Sequence, residues 1–488
     1  MTDFSDLLSL GERVGFHAPW PRAIVAPEAW EEGGRLLAAG EVTLLGLWGE
    51  AGWAHMALLG APGEVAVLSV ACRDGGFPSI GRVHPPAIRL ERAARDLYGI
   101  APVGLPDKRP WLHHAAEEYA FLPVNGEDLH EIPVGPVHAG VIEPGHFRFT
   151  CDGETVVRLE QRLGYTHKGT EALFAGASLP DAARLAGRIS GDSTVAYALA
   201  FARAVEAAAG VDVPPRAVLL RGLMAELERL ANHIGDVGAI CNDAAFAMML
   251  VHCAMLRERV LRTMATCFGH RLAMDGIVPG GVATDLSAEG EAAIRALLAE
   301  IDAKFPHLVA LYDKTTSLQD RTAGTGRVGK GLVRQWGAGG YVGRAAGRGF
   351  DARRDLPYAP YDRLAFAVPV LETGDVDARV LVRIQEIEQS QALIRQMLAE
   401  LRPVALRLPD DLPRAAAGRE GMALVEAFRG DVLVWLRLDP DGHVARCHVR
   451  DASWFQWPLL EAAVEGNIIA DFPLCNKSFN CSYSGVDL

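Results

Sequence analysis

The sequence predicts an α+β protein, with a small mixed α/β domain at the N-terminus and a mainly α-helical domain with a small β-sheet after it. Three observations predict this arrangement. Short apolar runs alternate with Gly and Pro in residues 41–75, and helical periodicity dominates the chain after the first 120 or so residues. The boundary between the two regions falls near residues 120–130, in the segment FLPVNGEDLHEIPVGP.

The first region reads as strands followed by one helix. Residues 41–75, EVTLLGLWGEAGWAHMALLGAPGEVAVLSVACRDG, have the pattern of a small mixed sheet. Residues 87–100, AIRLERAARDLYGI, predict a helix that ends near Gly99. We therefore predict one domain over residues 1–125 and a second over residues 126–488.

The second region contains two clear amphipathic helices. In residues 214–238, PPRAVLLRGLMAELERLANHIGDVG, the apolar residues recur at steps of three and four, and the two prolines suit the first turn. Residues 378–401 repeat the pattern. Between these helices, residues 320–361 are too rich in Gly and Pro for long helices and predict a series of turns.

Composition excludes several classes of protein. The chain has 488 residues, a net charge of −13 and 50% hydrophobic residues. Nucleic-acid binding is disfavoured because phosphates require a basic face. No run reaches the roughly 18 apolar residues of a membrane span, and no secretory signal is visible, which predicts a cytoplasmic protein. The high apolar fraction fits either a large core or burial against partner subunits.

The eight cysteines form no C-x-x-C pair, so we expect buried thiols and no disulfide framework. Only Cys475 and Cys481 lie close enough in sequence to suggest a metal site. GTGRVG, residues 324–329, matches a dinucleotide-binding pattern, but no predicted strand precedes it and no long helix follows it, which favours a turn.

Two groups of polar residues have both an ordinary and a functional interpretation. His138 and His146 lie in a Gly/Pro-rich hairpin, GPVHAGVIEPGHFRF, and either stabilise a turn or face a cavity. Glu226, Arg229 and His233 lie off the apolar stripe of the first long helix. They form either a solvated face or a buried charged network suited to proton transfer.

Five motifs, in order along most of the chain, resemble a known family. They are GPVHAGVIEPGHFRF, GYTHKGTE, ELERLANHIGDVG, GRGFDARRDLPYAPYD and GDVDARVLVRIQEIEQSQALI. The chain from about residue 131 is similar to the large subunit of group 4 nickel–iron hydrogenases and to the 49 kDa-type subunit of complex I. ERAARDLYGI and LPDKRP, in the first 125 residues, resemble the 30 kDa-type subunit of complex I.

In the hydrogenases that the chain resembles, four cysteines hold the nickel. Three of these four ligand positions are not cysteine in this chain. Hydrogenases supply two cysteines from R-x-C-G-x-C and two from D-P-C-x-x-C. Here the first motif reads RISGDS, so that Ser190 and Ser193 replace both cysteines, and the histidine expected four residues later is Tyr197. In the C-terminal segment, DFPLCNKSFNCSYSGVDL, we place Cys475 near the first ligand position and Ser478 near the second, with Cys481 out of register.

Nickel at such a site requires soft, bridging thiolates, and a serine hydroxyl is a hard ligand of low acidity. We therefore expect no metal centre in this chain and no hydrogenase activity. Complex I subunits hold a quinone with a histidine and a tyrosine. His138 matches that histidine, but Arg188 stands at the tyrosine position, and Tyr197 is a candidate for the same cavity.

The resemblance implies a peripheral redox subunit on the cytoplasmic side of the cell membrane, in a complex that couples electron transfer to ion translocation. Its implied partners are an iron–sulfur small subunit, which carries the cluster, and antiporter-like and anchor membrane subunits. The vacated site would bind a quinone or another electron acceptor. Two alternatives stay open: a nickel–iron hydrogenase with unusual ligation, and a structural coupling subunit with no substrate.

We assign catalytic roles to three residues: Arg188 as a fixed positive charge, and His138 and Asp192 as proton-handling groups. Ser190, Ser193, Tyr197, Cys475 and Ser478 are the vestigial cofactor-binding positions. We expect FPLCNKSF to lie beside RISGDS, with Ser190 or Ser193 hydrogen-bonded and Arg188 paired with an acidic group or facing a polar cavity.

Overall fold

The computed structural model describes residues 4–61, 63–112, 119–126, 128–138, 142–408 and 412–488. They form an α+β fold, as predicted. Within these ranges, no helix combines the length and the apolarity needed to cross a bilayer.

The N-terminal region is built on a five-stranded sheet. Its strands lie in the order Gly11–Arg13, Arg22–Val25, Val65–Ala71, Trp53–Leu59 and Thr43–Glu50. Arg22–Val25 and Val65–Ala71 are parallel, and the other neighbours are antiparallel. The helices of this region are Phe4–Ser9, Pro27–Ala39 and Ile88–Tyr98, with the 3₁₀ turn Pro85–Ala87. Ile88–Tyr98 ends at Gly99 in a left-handed conformation, which confirms the predicted helix end.

Four smaller sheets complete the β-structure. A four-stranded sheet has the order Val444–Arg450, Gly430–Leu438, Glu420–Ala427 and His17–Ala18. A three-stranded sheet has the order Thr155–Arg162, His146–Asp152 and Leu129–Val134. The remaining pairs are Ile277–Val278 with Gly281–Val282, and Gly76–Pro78 with Ala101–Val103. The strand His17–Ala18 pairs with Glu420–Ala427, so the N-terminal segment is integrated with the C-terminal part of the chain.

The other helices, from Thr170 on, surround a long central one. They are Thr170–Phe174, Leu179–Ala186, Thr194–Ala209, Pro215–Asp243, Ala247–Phe268, Ala288–Lys314, Thr316–Thr322, Lys330–Gln335, Gly340–Ala345, Ala352–Asp355, Val376–Glu400, Leu412–Ala416, Ser453–Val464 and Phe472–Phe479, with 3₁₀ turns at Gly191–Ser193 and Ile469–Asp471.

The central helix is Pro215–Asp243, which packs against Ala247–Phe268 and Val376–Glu400. Its predicted apolar stripe, which includes Leu220, Leu227 and Ile234, is fully buried. The Gly-rich region after residue 323 contains only short helices, and the 324–329 segment is a loop held by a hydrogen bond from the Gly326 amide to Asn467, which confirms the predicted turns.

A cluster of aromatic rings joins the five-stranded and four-stranded sheets. Trp48 stacks on His448 with ring centroids 4.9 Å apart. The rings of Trp48, His55 and Trp435 form a triangle with centroids 5.4 to 5.6 Å apart. All eight cysteines are free thiols and seven are buried, which confirms the interpretation of cysteines as small apolar core residues.

Candidate functional site

The RISGDS segment is the sharp connection between the helices Leu179–Ala186 and Thr194–Ala209. It contains the 3₁₀ turn Gly191–Ser193. The Thr194 hydroxyl donates a 2.6 Å hydrogen bond to the Gly187 carbonyl and closes the connection. This hydrogen bond joins the two ends of the loop.

Asp192 organises the polar side chains of this loop. The Ser190 hydroxyl donates to Asp192 Oδ1 at 2.8 Å, and the Ser193 hydroxyl to the same oxygen at 3.3 Å. Arg429 donates to Asp192 Oδ1 at 2.8 Å and to the Ser193 hydroxyl at 3.1 Å. Burial alone would raise the pKa of Asp192, but Arg429 holds it below its usual value, so the carboxylate stays ionised. Both serines are hydrogen-bonded, as expected.

The C-terminal segment meets this loop through Ser482. The Ser482 and Ser190 hydroxyl oxygens lie 3.3 Å apart. The Ser482 hydroxyl also accepts a 2.9 Å hydrogen bond from the Gly485 amide, and the Ser482 amide donates to the Ser453 hydroxyl at 2.9 Å. These bonds connect three parts of the chain that are far apart in sequence.

The expected positions of Cys475 and Ser478 are wrong. Both lie on the helix Phe472–Phe479 and face the interior, not the Ser190 loop. The Ser478 hydroxyl accepts a 2.9 Å hydrogen bond from Arg379 Nε, and Cys475 Sγ lies against Gly326. Phe472, Pro473, Asn476 and Lys477 of the same helix do line a cavity together with the loop, which confirms the broader expectation that the two segments are neighbours.

The structure assigns a different register to the vestigial C-terminal motif. Residues 480–485 read NCSYSG, and D-P-C-x-x-C placed on them puts the two ligand positions at Ser482 and Gly485. Only this register brings a ligand position to Ser190. The sequence does contain a signal for this register, because Ser482 replaces a cysteine just as Ser190 and Ser193 do in RISGDS. Cys475, a cysteine close to it in sequence, favours the register with ligand positions at 475 and 478.

Tyr197 does not face the cavity, contrary to expectation. It is fully buried, and its hydroxyl donates a hydrogen bond to Asp451 Oδ2. Burial and the adjacent Asp451 carboxylate raise the pKa of Tyr197, which keeps the phenol protonated. Gly485 lies directly against this pair, since a Cβ built on it would be 2.8 Å from the Tyr197 hydroxyl. Tyr197 therefore packs against Gly485 of the C-terminal segment from the protein interior.

Arg188 is paired with an acidic group, as expected. Its guanidinium donates two hydrogen bonds to Asp275, at 2.7 and 2.8 Å. The Arg188 side chain is 44% exposed and lies in the cavity wall. It therefore provides a positive charge that a bound molecule can reach.

His138 lines the same cavity. It is half-buried, and its Nδ1 is 3.3 Å from the Pro136 carbonyl oxygen. Its ring meets Phe147 edge to face at 5.5 Å. His146, the other histidine of the hairpin, is not in this cavity. It faces a separate surface pocket beside Arg148 and Arg162.

The cavity between the loop, the hairpin and the C-terminal segment has a volume of about 570 Å³. It is lined by Val134, His138, Ile142, Glu143, Lys168, Arg188, Ile189, Ser190, Gly191, Asp192, Asp243, Arg429, Phe472, Pro473, Asn476, Lys477, Asn480, Cys481, Ser482, Tyr483 and Ser484. Its wall is mixed, with apolar side chains beside hydroxyls, amides and charged groups of both signs. Such a wall suits a small molecule with an apolar body and a polar reducible end.

A buried network of charges surrounds Glu226, Arg229 and His233, so the solvated-face interpretation is wrong, and a role in proton transfer stays a prediction. The carboxyl groups are Glu226, Asp351, Glu386 and Glu426, and the guanidinium groups are Arg229, Arg344 and Arg353. His233 Nε2 lies 2.7 Å from Glu386 Oε2. Burial lowers the pKa of His233, which keeps its imidazole neutral.

Four carboxyl groups face three guanidinium groups in this network, so one carboxyl is favoured to carry a proton. Burial, together with the nearby Asp351 carboxylate, raises the pKa of Glu426 to about 7. Near the cavity, Asn480 donates to Asp236 Oδ1 at 3.0 Å, and Arg383 donates to Asp236 Oδ2 at 3.1 Å. Titratable groups therefore continue from the cavity wall into the helical core.

The donor groups here do not fit a nickel–iron centre. At the four ligand positions the loop and the C-terminal segment present the hydroxyls of Ser190, Ser193 and Ser482 and the bare backbone of Gly485. Nickel of this type needs thiolates. Within the part of the chain that the structure describes, no group of three or more His, Cys, Asp or Glu side chains is arranged to hold a metal ion.

Comparison with protein families gives two matches along the chain. Residues 243–416 and 410–488 match the family described as respiratory-chain NADH dehydrogenase, 49 Kd subunit. Residues 54–125 match the respiratory-chain NADH dehydrogenase, 30 Kd subunit. Both kinds of subunit are thus represented in one chain.

Similar curated proteins include hydrogenases and quinone-linked enzymes. Hydrogenase-4 component G of Escherichia coli (strain K12) is 30% identical over 84% of this chain and 76% of its own length. Carbon monoxide-induced hydrogenase of Rhodospirillum rubrum is 32% identical over 72% of this chain and 96% of its own. A subunit of the NADH-quinone oxidoreductase of Roseiflexus sp. (strain RS-1) is 30% identical over 73% of this chain and 98% of its own.

A solved structure shares the fold. A chain of the membrane-bound sulfane sulfur reductase, an archaeal respiratory membrane complex, matches with a TM-score of 0.70 and 27% sequence identity. The match covers 75% of this chain and all of that one. The similar proteins are thus oxidoreductase subunits related to complex I and to membrane hydrogenases.

Proposed function

This chain belongs to the family of the 49 kDa subunit of respiratory-chain NADH dehydrogenase and its hydrogenase relatives, and from this premise we propose that it is the redox subunit of a membrane-attached complex. In this proposal the complex couples electron transfer to ion translocation. The subunit has no nickel–iron centre, and its cavity binds a small electron acceptor.

The contact between Ser190 and Ser482 is the observation that carries the proposal. It joins the two segments that hold nickel in the hydrogenases, but with hydroxyl groups in place of thiolates. The segments still enclose a cavity of about 570 Å³, large enough for a small organic or inorganic acceptor. A purely structural subunit would have no reason to keep an open, mixed-polarity cavity at this place.

Three features of the site support electron-acceptor chemistry. Arg188 offers a positive charge to an acceptor that becomes negative on reduction. His138 lines the same cavity, and an imidazole there can take up or deliver a proton during reduction. Asp192, held ionised by Arg429, fixes the hydroxyls of Ser190 and Ser193 in the cavity wall.

The printed descriptions of similar proteins support the proposed setting. One belongs to an NADH-quinone oxidoreductase, and the solved structure is of a respiratory membrane complex. We accordingly propose an iron–sulfur small subunit as the electron-carrying neighbour, antiporter-like and anchor subunits in the membrane, and a position on the cytoplasmic face.

Purification of the tagged full chain from gently solubilised membranes tests this function. We expect it to elute with an iron–sulfur protein and with integral membrane proteins, and the assembly to reduce a quinone or sulfane sulfur. Recovery of the chain as a stable monomer from the soluble fraction, without partners, would contradict the proposal.

A further inference from the structure

The Tyr483 side chain is a fixed part of the cavity wall. Its ring packs edge to face on Trp457, with centroids 4.8 Å apart. On the other side it lies against Gly145, where an added Cβ would come within 2.6 Å of the Tyr483 ring. The ring is thus held between the hairpin and the helix Ser453–Val464, and cannot move away without breaking both contacts.

The Tyr483 hydroxyl is buried without a hydrogen-bond partner among the residues that the structure describes. The residue is only 6% exposed. Burial raises the pKa of Tyr483, and an interaction with Asn476 of the same cavity wall, which lacks the geometry of an ordinary hydrogen bond, opposes the shift, so the hydroxyl stays a protonated donor. Buried hydroxyls in native proteins nearly always have a partner, so this donor is available to a molecule that enters the cavity.

We propose that the Tyr483 hydroxyl donates a hydrogen bond to the reducible end of the molecule that occupies the cavity, an inference that rests on the proposed function. The ligand class is a small electron acceptor that ends in a hydrogen-bond-accepting atom, either the carbonyl oxygen of a quinone or the terminal sulfur of a sulfane chain. Lys168 and Arg188, in the same wall, suit the negative charge that such an atom gains on reduction.

The Tyr483→Phe variant tests this role, with Tyr312→Phe as the matched control. Tyr312 is also buried but lies outside the cavity, and its hydroxyl donates a 2.6 Å hydrogen bond to Asp377. Binding of ubiquinone-1 and of inorganic tetrasulfide is measured on the full chain in its native assembly, together with the temperature of unfolding.

We expect Tyr483→Phe to bind one probe roughly 3- to 10-fold more weakly, the loss of one hydrogen bond to the ligand, while its unfolding temperature stays the same or rises. Tyr312→Phe should show the reverse: unchanged binding and a lower unfolding temperature. The probe whose affinity falls identifies the ligand as a quinone or a sulfane chain.

Two results would overturn the inference while leaving the proposed function intact. One is an unchanged affinity of Tyr483→Phe for a probe that the wild type binds. The other is a fall in its unfolding temperature as large as that of Tyr312→Phe, which would show that the hydroxyl is paired inside the protein. If the wild type binds neither probe, the proposed function fails and this inference fails with it.

Discussion

The hydroxyl oxygens of Ser190 and Ser482 lie 3.3 Å apart, although 292 positions separate them in sequence. The resemblance to nickel–iron hydrogenases implies that the corresponding two segments hold a metal there. Here the connection consists of hydrogen bonds, each worth about 0.5–1.5 kcal/mol net, where metal ligation would contribute many times more. The segments remain together because packing and charge pairing around them, especially the Asp192–Arg429 pair, supply the rest.

The close approach at Gly485 gives a test of this packing. A methyl group there would lie 2.8 Å from the Tyr197 hydroxyl and 2.9 Å from Asp451 Cγ, so Gly485→Ala should lower the free energy of unfolding by about 1–3 kcal/mol. Gly191→Ala, in the facing loop, is the control, because a Cβ there meets nothing within 4 Å. Thermal or urea unfolding compares the two. Equal stability of both variants would show that the C-terminal segment does not pack as described.

Arg188 should matter for electron transfer and not for assembly. Its ion pair with Asp275 is about half exposed on both sides, and such pairs contribute at most about 1 kcal/mol, so Arg188→Ala should leave stability and subunit composition nearly unchanged. Loss of a charge that contacts the acceptor should lower the rate of acceptor reduction roughly tenfold.

The control for Arg188→Ala is Arg184→Ala. Arg184 lies four residues before Arg188 and forms an exposed ion pair with Asp181. Arg184→Ala should preserve the rate. If Arg188→Ala reduces assembly and electron transfer to the same extent, the residue has a structural role, and the coupling-subunit alternative gains support.

The charge network predicts a specific pH dependence of stability. The pKa of Glu426 is about 7 in the folded protein, above its ordinary value of 4.5, so folding retains a proton that the unfolded chain releases. The contribution of Glu426 to stability is therefore present below pH 4.5 and decreases by about 3 kcal/mol as the pH rises to 7.

Glu426→Gln should flatten this decrease, since the amide resembles the protonated acid and does not titrate. The midpoint of urea unfolding, measured from about pH 4.5 to 7.5, reports the slope. Glu400→Gln, in an exposed pair with Arg363, serves as the control and should keep the wild-type slope. A slope that is identical in wild type and Glu426→Gln would show that Glu426 is ionised throughout this range.

The long helices and the first sheet were predictable because their apolar residues follow the periods of helices and strands. Pro215–Asp243 is the clearest case, with its buried leucine stripe. Periodicity could not decide whether Glu226 and Arg229 face water or the interior. Their partners, Arg353 and Glu386, come from segments far along the chain, so the answer required the tertiary structure.

The candidate site was predictable in part. The RISGDS loop, Arg188 and His138 were identified because their motifs retain the family frame. The C-terminal register was misplaced, because no cysteine marks Ser482 and Gly485 while Cys475 lies nearby in sequence. Tyr483 carries no sequence signal, since only the structure shows that its hydroxyl is buried at the cavity without a partner among the described residues.

The nickel content of the assembly purified from membranes tests the central claim most directly. The claim is that this chain keeps the site of the hydrogenase relatives but binds no metal there, because Ser190, Ser193, Ser482 and Gly485 provide no thiolate. Elemental analysis of the anaerobically purified assembly should find no stoichiometric nickel, while the chain remains associated with its partners. About one nickel atom per chain would contradict the account and favour a hydrogenase with unusual ligation.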